Sequence, residues 1–154
     1  MTERVVVIGV GNSLRGDDAA GLLVARRVRE RAPGVDVFEH EGEPTGLLAL
    51  FGGAHTAILV DAVQGAGEPG SVQRFEAGDE PLPASLRGST STHAVGLAEA
   101  IELFRALGRL PPRVVVLGIR GACFEAGRVC SPEIRDGIEA AASAVLGELA
   151  QLRR

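Results

Sequence analysis

The sequence contains no lysine, no tryptophan and no tyrosine, and each absence excludes a kind of function. All sixteen basic residues are arginine, so the chain has no lysine for a Walker A loop, a pyridoxal Schiff base or a lysine general base. Its aromatic residues are five phenylalanines, which supply few stacking surfaces for single-stranded nucleic acid. The formal net charge of −4 also argues against a nucleic-acid partner, because such proteins usually carry a basic patch.

Cysteine and long apolar runs are scarce as well. Cys123 and Cys130 have six residues between them, a spacing that is neither a zinc knuckle nor a redox Cys-x-x-Cys motif. No apolar run reaches membrane length, and no charged-then-apolar leader opens the sequence. We therefore expect a cytoplasmic protein with reduced, structural thiols, and neither a nucleic acid nor a membrane among its partners.

The sequence does contain a regular alternation of strand and helix patterns. Continuous β-branched runs or shorter apolar segments predict strands at 5–10, 35–39, 56–63, 71–75 and 113–119. Apolar residues at helical spacing predict helices at 18–32 and 45–51, after His93, and from Ser131 onward. Residues 64–92, rich in glycine and proline, are expected to be mostly a long loop. The chain is thus predicted to be α/β: one domain over 1–154, with a three-layer αβα arrangement around a mostly parallel, twisted sheet.

The first strand opens through Gly9 and Gly11 onto two adjacent acids, Asp17 and Asp18. Glycines after a first strand suggest a dinucleotide site, but the third glycine of that fingerprint is replaced by Leu14. Two carboxylates at the start of a helix would also repel a pyrophosphate. Nucleotide binding therefore remains only an alternative, which a calorimetric affinity in the micromolar range would revive.

Chemically active side chains from three segments are expected at the edge of the sheet where parallel strands end. Asp17 and Asp18 follow the first strand, Asp61 lies near the end of the 56–63 strand, and His93 ends the long loop at the start of a helix. Ligands of open α/β sheets bind outside this edge. Two carboxylates and one imidazole suit an open site for zinc, nickel, manganese or iron.

Each of these residues also has a structural interpretation. Asp18 could serve only to stabilise a helix N-terminus, and His93 could be a cap or a solvent-exposed side chain. Asp61 is harder to explain in that way, because a buried acid needs a partner. His40 and His55 are the other histidines that could take the place of His93.

A nucleophilic hydrolase is a competing chemistry. Ser89 or Ser91 with His93 and Asp61 supplies the residue types of a triad. The sequence has no Gly-x-Ser-x-Gly elbow, and a serine so close to its histidine does not easily adopt the required geometry. Cys123 or Cys130 with His93 lacks any local signature of a cysteine nucleophile.

Three segments in order resemble the hydrogenase maturation endopeptidases. Residues Val7–Asp18 resemble the N-terminal signature of that family, Ile58–Val63 its second acidic strand, and Ser91–Leu97 its histidine segment. The strand from Val114 and the Ser-Pro-Glu helix start at Ser131 also fit. Each motif alone is weak, but the three together, in this order and spacing, are specific and span nearly the whole chain.

The resemblance implies an endopeptidase that removes a C-terminal extension from the large-subunit precursor of a [NiFe] hydrogenase after nickel insertion. Asp18, Asp61 and His93 would contact the metal, which is nickel carried by the substrate, with zinc or cadmium as an adventitious occupant. Asp17 would support the site or cap the helix. The alternative is a non-catalytic protein that binds the metallocentre during hydrogenase assembly.

The sequence departs from the family pattern in one loop that is linked to substrate contact. Family members often carry Asp-Gly-Gly-Thr before the short second helix, whereas this chain has Glu41–Gly46, with Pro44 between the second acid and the threonine. Gly42 and Thr45 remain the predicted substrate-binding residues of this loop. A second departure, alanine instead of glycine directly after the acid pair, is compatible with a helix start.

Overall fold

The computed structural model describes residues 3–14, 16–41, 43–63, 67–78, 97–125, 127 and 131–152. Five strands in this part of the chain form one sheet, in the order β2-β1-β3-β5-β4. The strands are β1 (Val5–Val10), β2 (Asp36–His40), β3 (Thr56–Val63), β4 (Val72–Glu76) and β5 (Arg113–Arg120). Only β4 is antiparallel to its neighbour, so the sheet is mostly parallel, as predicted.

Helices cover both faces of the sheet. The described residues form α1 (Ala20–Arg31), α2 (Pro44–Phe51), α3 (Leu97–Ala106) and α4 (Arg135–Leu152), with short 3-10 turns at Gly16–Ala19 and Pro132–Ile134. Apolar residues of α1 and α4 pack on one face, together with Val7, Ile58 and Val115. Residues of α2 and α3 pack on the other face against the next residue of each strand. The predicted three-layer αβα architecture is therefore confirmed.

The central strands carry the core because they are apolar on both sides. Every residue of β3 is buried, and its apolar run is interrupted only by Asp61 near the end. Such continuous runs are typical of parallel strands that helices cover on both faces. Each fully buried valine, leucine or isoleucine contributes about 1.5–3 kcal/mol to folding relative to an exposed one. The position of Asp61 is therefore one that apolar burial does not favour.

A glycine at the start of helix α1 allows the helix backbone to lie directly against the sheet. A Cβ atom at Gly21 would collide with the backbone carbonyl oxygens of both Val10 and Val60. Only glycine therefore allows the first turn of α1 to rest on the ends of β1 and β3. This contact fixes the start of α1 at the carboxyl edge of the sheet.

The predicted element bounds hold to within one or two residues, with two exceptions of detail. The segment predicted to begin a helix at residue 18 starts instead with the 3-10 turn at Gly16–Ala19, before α1. Ser131 precedes a second 3-10 turn, and its side chain makes no capping hydrogen bond. No helix within the described ranges is long and apolar enough to cross a membrane.

Candidate active site

The two adjacent acids lie in the 3-10 turn that connects β1 to α1. Both Asp17 and Asp18 are buried, with exposed fractions of 0% and 1%. The turn folds back on the end of β1, because the backbone N–H of Asn12 donates to the carbonyl oxygen of Asp18 at 3.1 Å. Gly11 leaves room for this close return, since a Cβ atom there would collide with the same oxygen. The glycines thus bring the acids to the carboxyl edge of the sheet.

Asp61 reaches the same edge from the neighbouring strand. It lies opposite Gly118 of β5, so the adjacent strand places no side chain beside it on that side. Its Oδ1 atom is buried and accepts no hydrogen bond within the described part of the chain. Burial raises the pKa of Asp61 well above its ordinary value, and the negative charge of Asp18 raises this pKa further. A hydrogen bond from the Ala62 backbone lowers the pKa, but it is the smaller effect.

The pair formed by Asp18 and Asp61 is an electrostatically unfavourable arrangement in the absence of a cation. Burying a carboxylate without compensating donors costs free energy, and a second carboxylate beside it adds repulsion. A proton or a metal cation relieves both costs. Carboxylate oxygens can coordinate divalent metals such as nickel, zinc or manganese, so these two acids suit a cation.

The structure brings together two of the three predicted metal-contacting residues. Within the described ranges, no group of three or more histidine, cysteine or acidic side chains is placed to hold a metal ion. The third predicted residue, His93, lies outside the described residues, as do Ser89 and Ser91 of the alternative triad and Cys130. The roles of Asp18, Asp61 and His93 as ligands therefore stay predictions.

The carboxylate of Asp17 has a different environment from that of Asp18. It accepts backbone N–H groups of Ala122 at 2.5 Å, Cys123 at 2.8 Å and Ser131 at 2.6 Å, and the Ser131 hydroxyl at 3.0 Å. Burial acts to raise the pKa of Asp17, but these hydrogen bonds outweigh it and the pKa is lowered. Asp17 does not cap α1, whose N-cap is Ala19.

A family model described as "Hydrogenase maturation protease" matches residues 24–148. The chain belongs to the hydrogenase maturation protease family. The hydrogenase 2 maturation protease of Escherichia coli K12 is 28% identical over 150 residues, which are 95% of this chain and 90% of that protein.

Solved structures of maturation proteases share the fold as well as the sequence pattern. The maturating endopeptidase HybD from E. coli superposes with a TM-score of 0.79 at 28% identity, covering 96% of this chain and 93% of that one. The [NiFe] hydrogenase maturation protease HybD from Thermococcus kodakarensis gives 0.78 at 26% identity, covering 94% and 97%. The α/β fold is thus that of a family of peptidases.

The segment Glu41–Gly46, which departs from the maturation protease pattern, is described except for Gly42. Gly42 lies outside the described residues, and Thr45 is an exposed residue in the first turn of α2. Glu43 caps that helix: its carboxylate accepts the backbone N–H groups of Thr45 and Gly46 at 2.7 and 2.8 Å. The acid that replaces a family glycine therefore caps a helix, a role that the sequence pattern did not predict.

The two remaining histidines fall at opposite edges of the sheet. His55 precedes β3 at the amino edge, where its Nδ1 atom lies 3.2 Å from Glu3 Oε2. It therefore cannot join Asp18 and Asp61. His40 ends β2 at the carboxyl edge, but β1 separates β2 from β3. A side chain at Gly46 would come within 2.5 Å of His40 Nε2, which places the His40 ring against the start of α2.

Proposed function

We propose that this maturation protease removes a C-terminal extension from the large-subunit precursor of a [NiFe] hydrogenase once nickel is in place. The observation that carries the proposal is the buried Asp61 carboxylate, whose Oδ1 atom lacks a donor among the described residues and lies under the influence of the Asp18 charge. A site that is costly alone becomes favourable when the substrate itself brings the cation. That arrangement supports recognition of the precursor through the metal it carries.

In this proposal Asp18, Asp61 and His93 contact the nickel that the precursor carries. The metal supplies Lewis acidity next to the scissile bond, an effect worth several kcal/mol in general. The carboxylates of Asp18 and Asp61 are buried away from bulk water. In such an environment their electrostatic attraction to a cation is stronger than in water. The two acids thereby orient the loaded precursor and distinguish it from the precursor without metal.

The orientation of α3 supports a role for His93. Near the C-terminal end of α3, Arg105 donates to the backbone carbonyl oxygens of Ala77 and Gly78 at 2.6 Å. Ala77 in turn bonds to Val114 at the start of β5, which is the amino edge of the sheet. The opposite end of α3 therefore points towards the carboxyl edge, and His93 lies four residues before its first described residue, Leu97.

A cleft lined by Gly11, the residue against which the Asp18 backbone folds, is a suitable place for the extension of the precursor. It has a volume of about 430 Å³, and its lining includes Ser13, His40, Glu41 and Glu43. Glu41 and Glu43, from the loop that departs from the family pattern, border this cleft, and Thr45 follows in the first turn of α2. We therefore propose that the loop contacts the peptide next to the scissile bond.

The direct test is cleavage of a purified, nickel-loaded precursor, followed by mass spectrometry. We expect the wild type to shorten the precursor and to leave the metal-free precursor intact. Asp61→Asn and His93→Ala should each lower the rate at least about a hundredfold, because each removes a group from the reacting site. Asp36→Asn, which changes an exposed acid at the amino edge, should cleave at the wild-type rate.

Two outcomes would contradict the proposal. Cleavage by Asp61→Asn at the wild-type rate would remove Asp61 from the mechanism. Tight binding of the loaded precursor without any shortening would favour the non-catalytic metallocentre-binding protein instead.

A further inference from the structure

The two adjacent acids serve different parts of the molecule. Asp18 acts on Asp61, whereas the Asp17 carboxylate lies among donors from the segment that follows β5, more than a hundred positions away in sequence. Both Asp17 oxygens are used: Oδ2 accepts from Ala122 and Cys123, and Oδ1 accepts from the backbone of Ser131. We call Asp17 with Ala122, Cys123 and Ser131 the Asp17 junction.

Further contacts tie the same two segments together. The backbone N–H of Asp17 donates to the carbonyl oxygen of Cys123, and the N–H of Gly127 donates to that of Leu14, both at 2.7 Å. A Cβ atom at Gly121 would lie 2.5 Å from the Phe124 ring and 3.0 Å from Cβ of Asp17, so any larger residue would have to displace these side chains. The junction is therefore closely packed as well as hydrogen-bonded.

The position of the junction in the sheet gives it a consequence for the site. Strands β1 and β5 are not neighbours, because β3 lies between them. A link from the segment after β1 to the segment after β5 must therefore cross the end of β3, the strand that carries Asp61. The backbone N–H of Gly121 also donates to the carbonyl oxygen of Val63 at 3.1 Å, which closes the link onto β3 itself.

We propose that Asp17 is a positioning residue, which holds Asp18 against Asp61 by joining the segments after β1 and β5 across the end of β3. This inference rests on the proposed function, since the arrangement it maintains is the one that would receive the nickel of the precursor. Displacement of a reacting group by about 1 Å can lower a rate about a hundredfold. A residue adjacent to Asp18 and bonded on both oxygens is well placed to prevent such a displacement.

Asp17→Asn tests the proposal with almost no change in size. An asparagine side chain has one acceptor oxygen and one amide group that can only donate, so it cannot accept from both sides of the junction. We expect a folded variant in which kcat for the nickel-loaded precursor falls about a hundredfold while KM changes less than about threefold. Ser131→Ala removes only the hydroxyl contact and should have a much smaller effect.

Loss of stability alone is controlled by a variant far from the site. Glu148 on α4 is a buried acid that accepts from Arg74 and Arg113, and Glu148→Gln weakens the fold without touching the junction. If Asp17→Asn loses no more kcat than Glu148→Gln at a temperature where both are folded, the proposal is wrong.

Two structural measurements separate this inference from the proposed function. In a Cys130→Ser background, Cys123 is the remaining cysteine, and its half-buried thiol should react faster with an alkylating reagent when Asp17 is replaced. Crystal structures of wild type and Asp17→Asn should differ by about 1 Å or more in the separation of Asp18 and Asp61. An unchanged separation would refute the positioning role, whereas failure of the wild type to cleave would refute only the proposed function.

Discussion

Asp61 is an acid in a buried environment that disfavours its negative charge. It interrupts an otherwise apolar strand, and its exposed fraction is 3%. Burial raises its pKa, and the charge of Asp18 adds to that effect. Folding therefore favours the protonated form. The stability linked to this group is complete below the unfolded-state pKa, about 3.9, and is lost as the pH rises towards the folded-state pKa.

We expect Asp61→Asn to stabilise the metal-free protein at neutral and alkaline pH. Asparagine can keep the contact with the Ala62 backbone but carries no charge, so the gain should be about 1 kcal/mol or more at pH 8 and near zero at pH 4. Urea denaturation at both pH values, compared with the wild type, measures the difference. Asp36→Asn, at an exposed ion pair, should change the free energy of unfolding by less than about 0.5 kcal/mol at either pH. A loss of stability in Asp61→Asn at pH 8 would contradict the assignment.

At the scale of single residues, the sequence pattern located the buried acids. It did not show that Asp17 and Asp18 interact with different parts of the protein. Asp61 could be singled out because a charged residue within a buried strand pattern has no other ready explanation. Only the resemblance to the family distinguished Asp18 from Asp17, because the direction of each side chain depends on the 3-10 turn. The donors that Asp17 uses come from Ala122, Cys123 and Ser131, and no local pattern connects these positions to residue 17.

Helix α1 helps to position the acid pair, because it packs on the sheet directly after these residues. Gly21 allows its first turn to rest on β1 and β3, directly after the acid pair. We expect Gly21→Ala to destabilise the protein by at least about 2 kcal/mol and to lower cleavage activity, because the helix must move away from the sheet. Gly147→Ala, an exposed position in α4 with open space around it, should stabilise by about 0.5–1 kcal/mol. Thermal and urea denaturation of both variants would check the opposite signs.

A buried acid connects helix α4 to strands β4 and β5. Glu148 accepts from Arg74 of β4 and Arg113 of β5 at 2.5 and 3.1 Å, and its side chain is only 9% exposed. We expect Glu148→Gln to cost about 1–2 kcal/mol, less than a fully buried pair, because both arginines remain partly open to water. Glu139→Gln, on the same helix but in a pair half exposed to solvent, should cost less than about 0.5 kcal/mol. Equal losses in the two variants would show that burial does not matter at Glu148.

At the scale of the whole molecule, the architecture follows from patterns that sequence alone reveals. Apolar β-branched runs alternating with amphipathic helices predict a parallel sheet covered on both faces, and the structure has that form. The topology then brings the segment after β1 and the end of β3 to one edge, which is why the acid pair and Asp61 could be placed together from sequence. The 3-10 turns could not be foreseen, because the contacts made there join segments that are distant in sequence, such as that of Asp17 with Ser131.

The linkage between proton and metal binding is a property of the whole protein that follows from the proposed site. A carboxylate must be deprotonated before it can ligate a metal, and Asp61 resists deprotonation in the metal-free protein. We expect Ni²⁺ alone to bind more tightly as the pH rises from 6 to 8 and to displace about one proton from the acid pair. Calorimetric titration in two buffers of different ionisation enthalpy measures this release as a difference in apparent enthalpy. Asp61→Asn should bind Ni²⁺ more weakly and release fewer protons, whereas identical proton release in both proteins would show that Asp61 is not the group that the metal deprotonates.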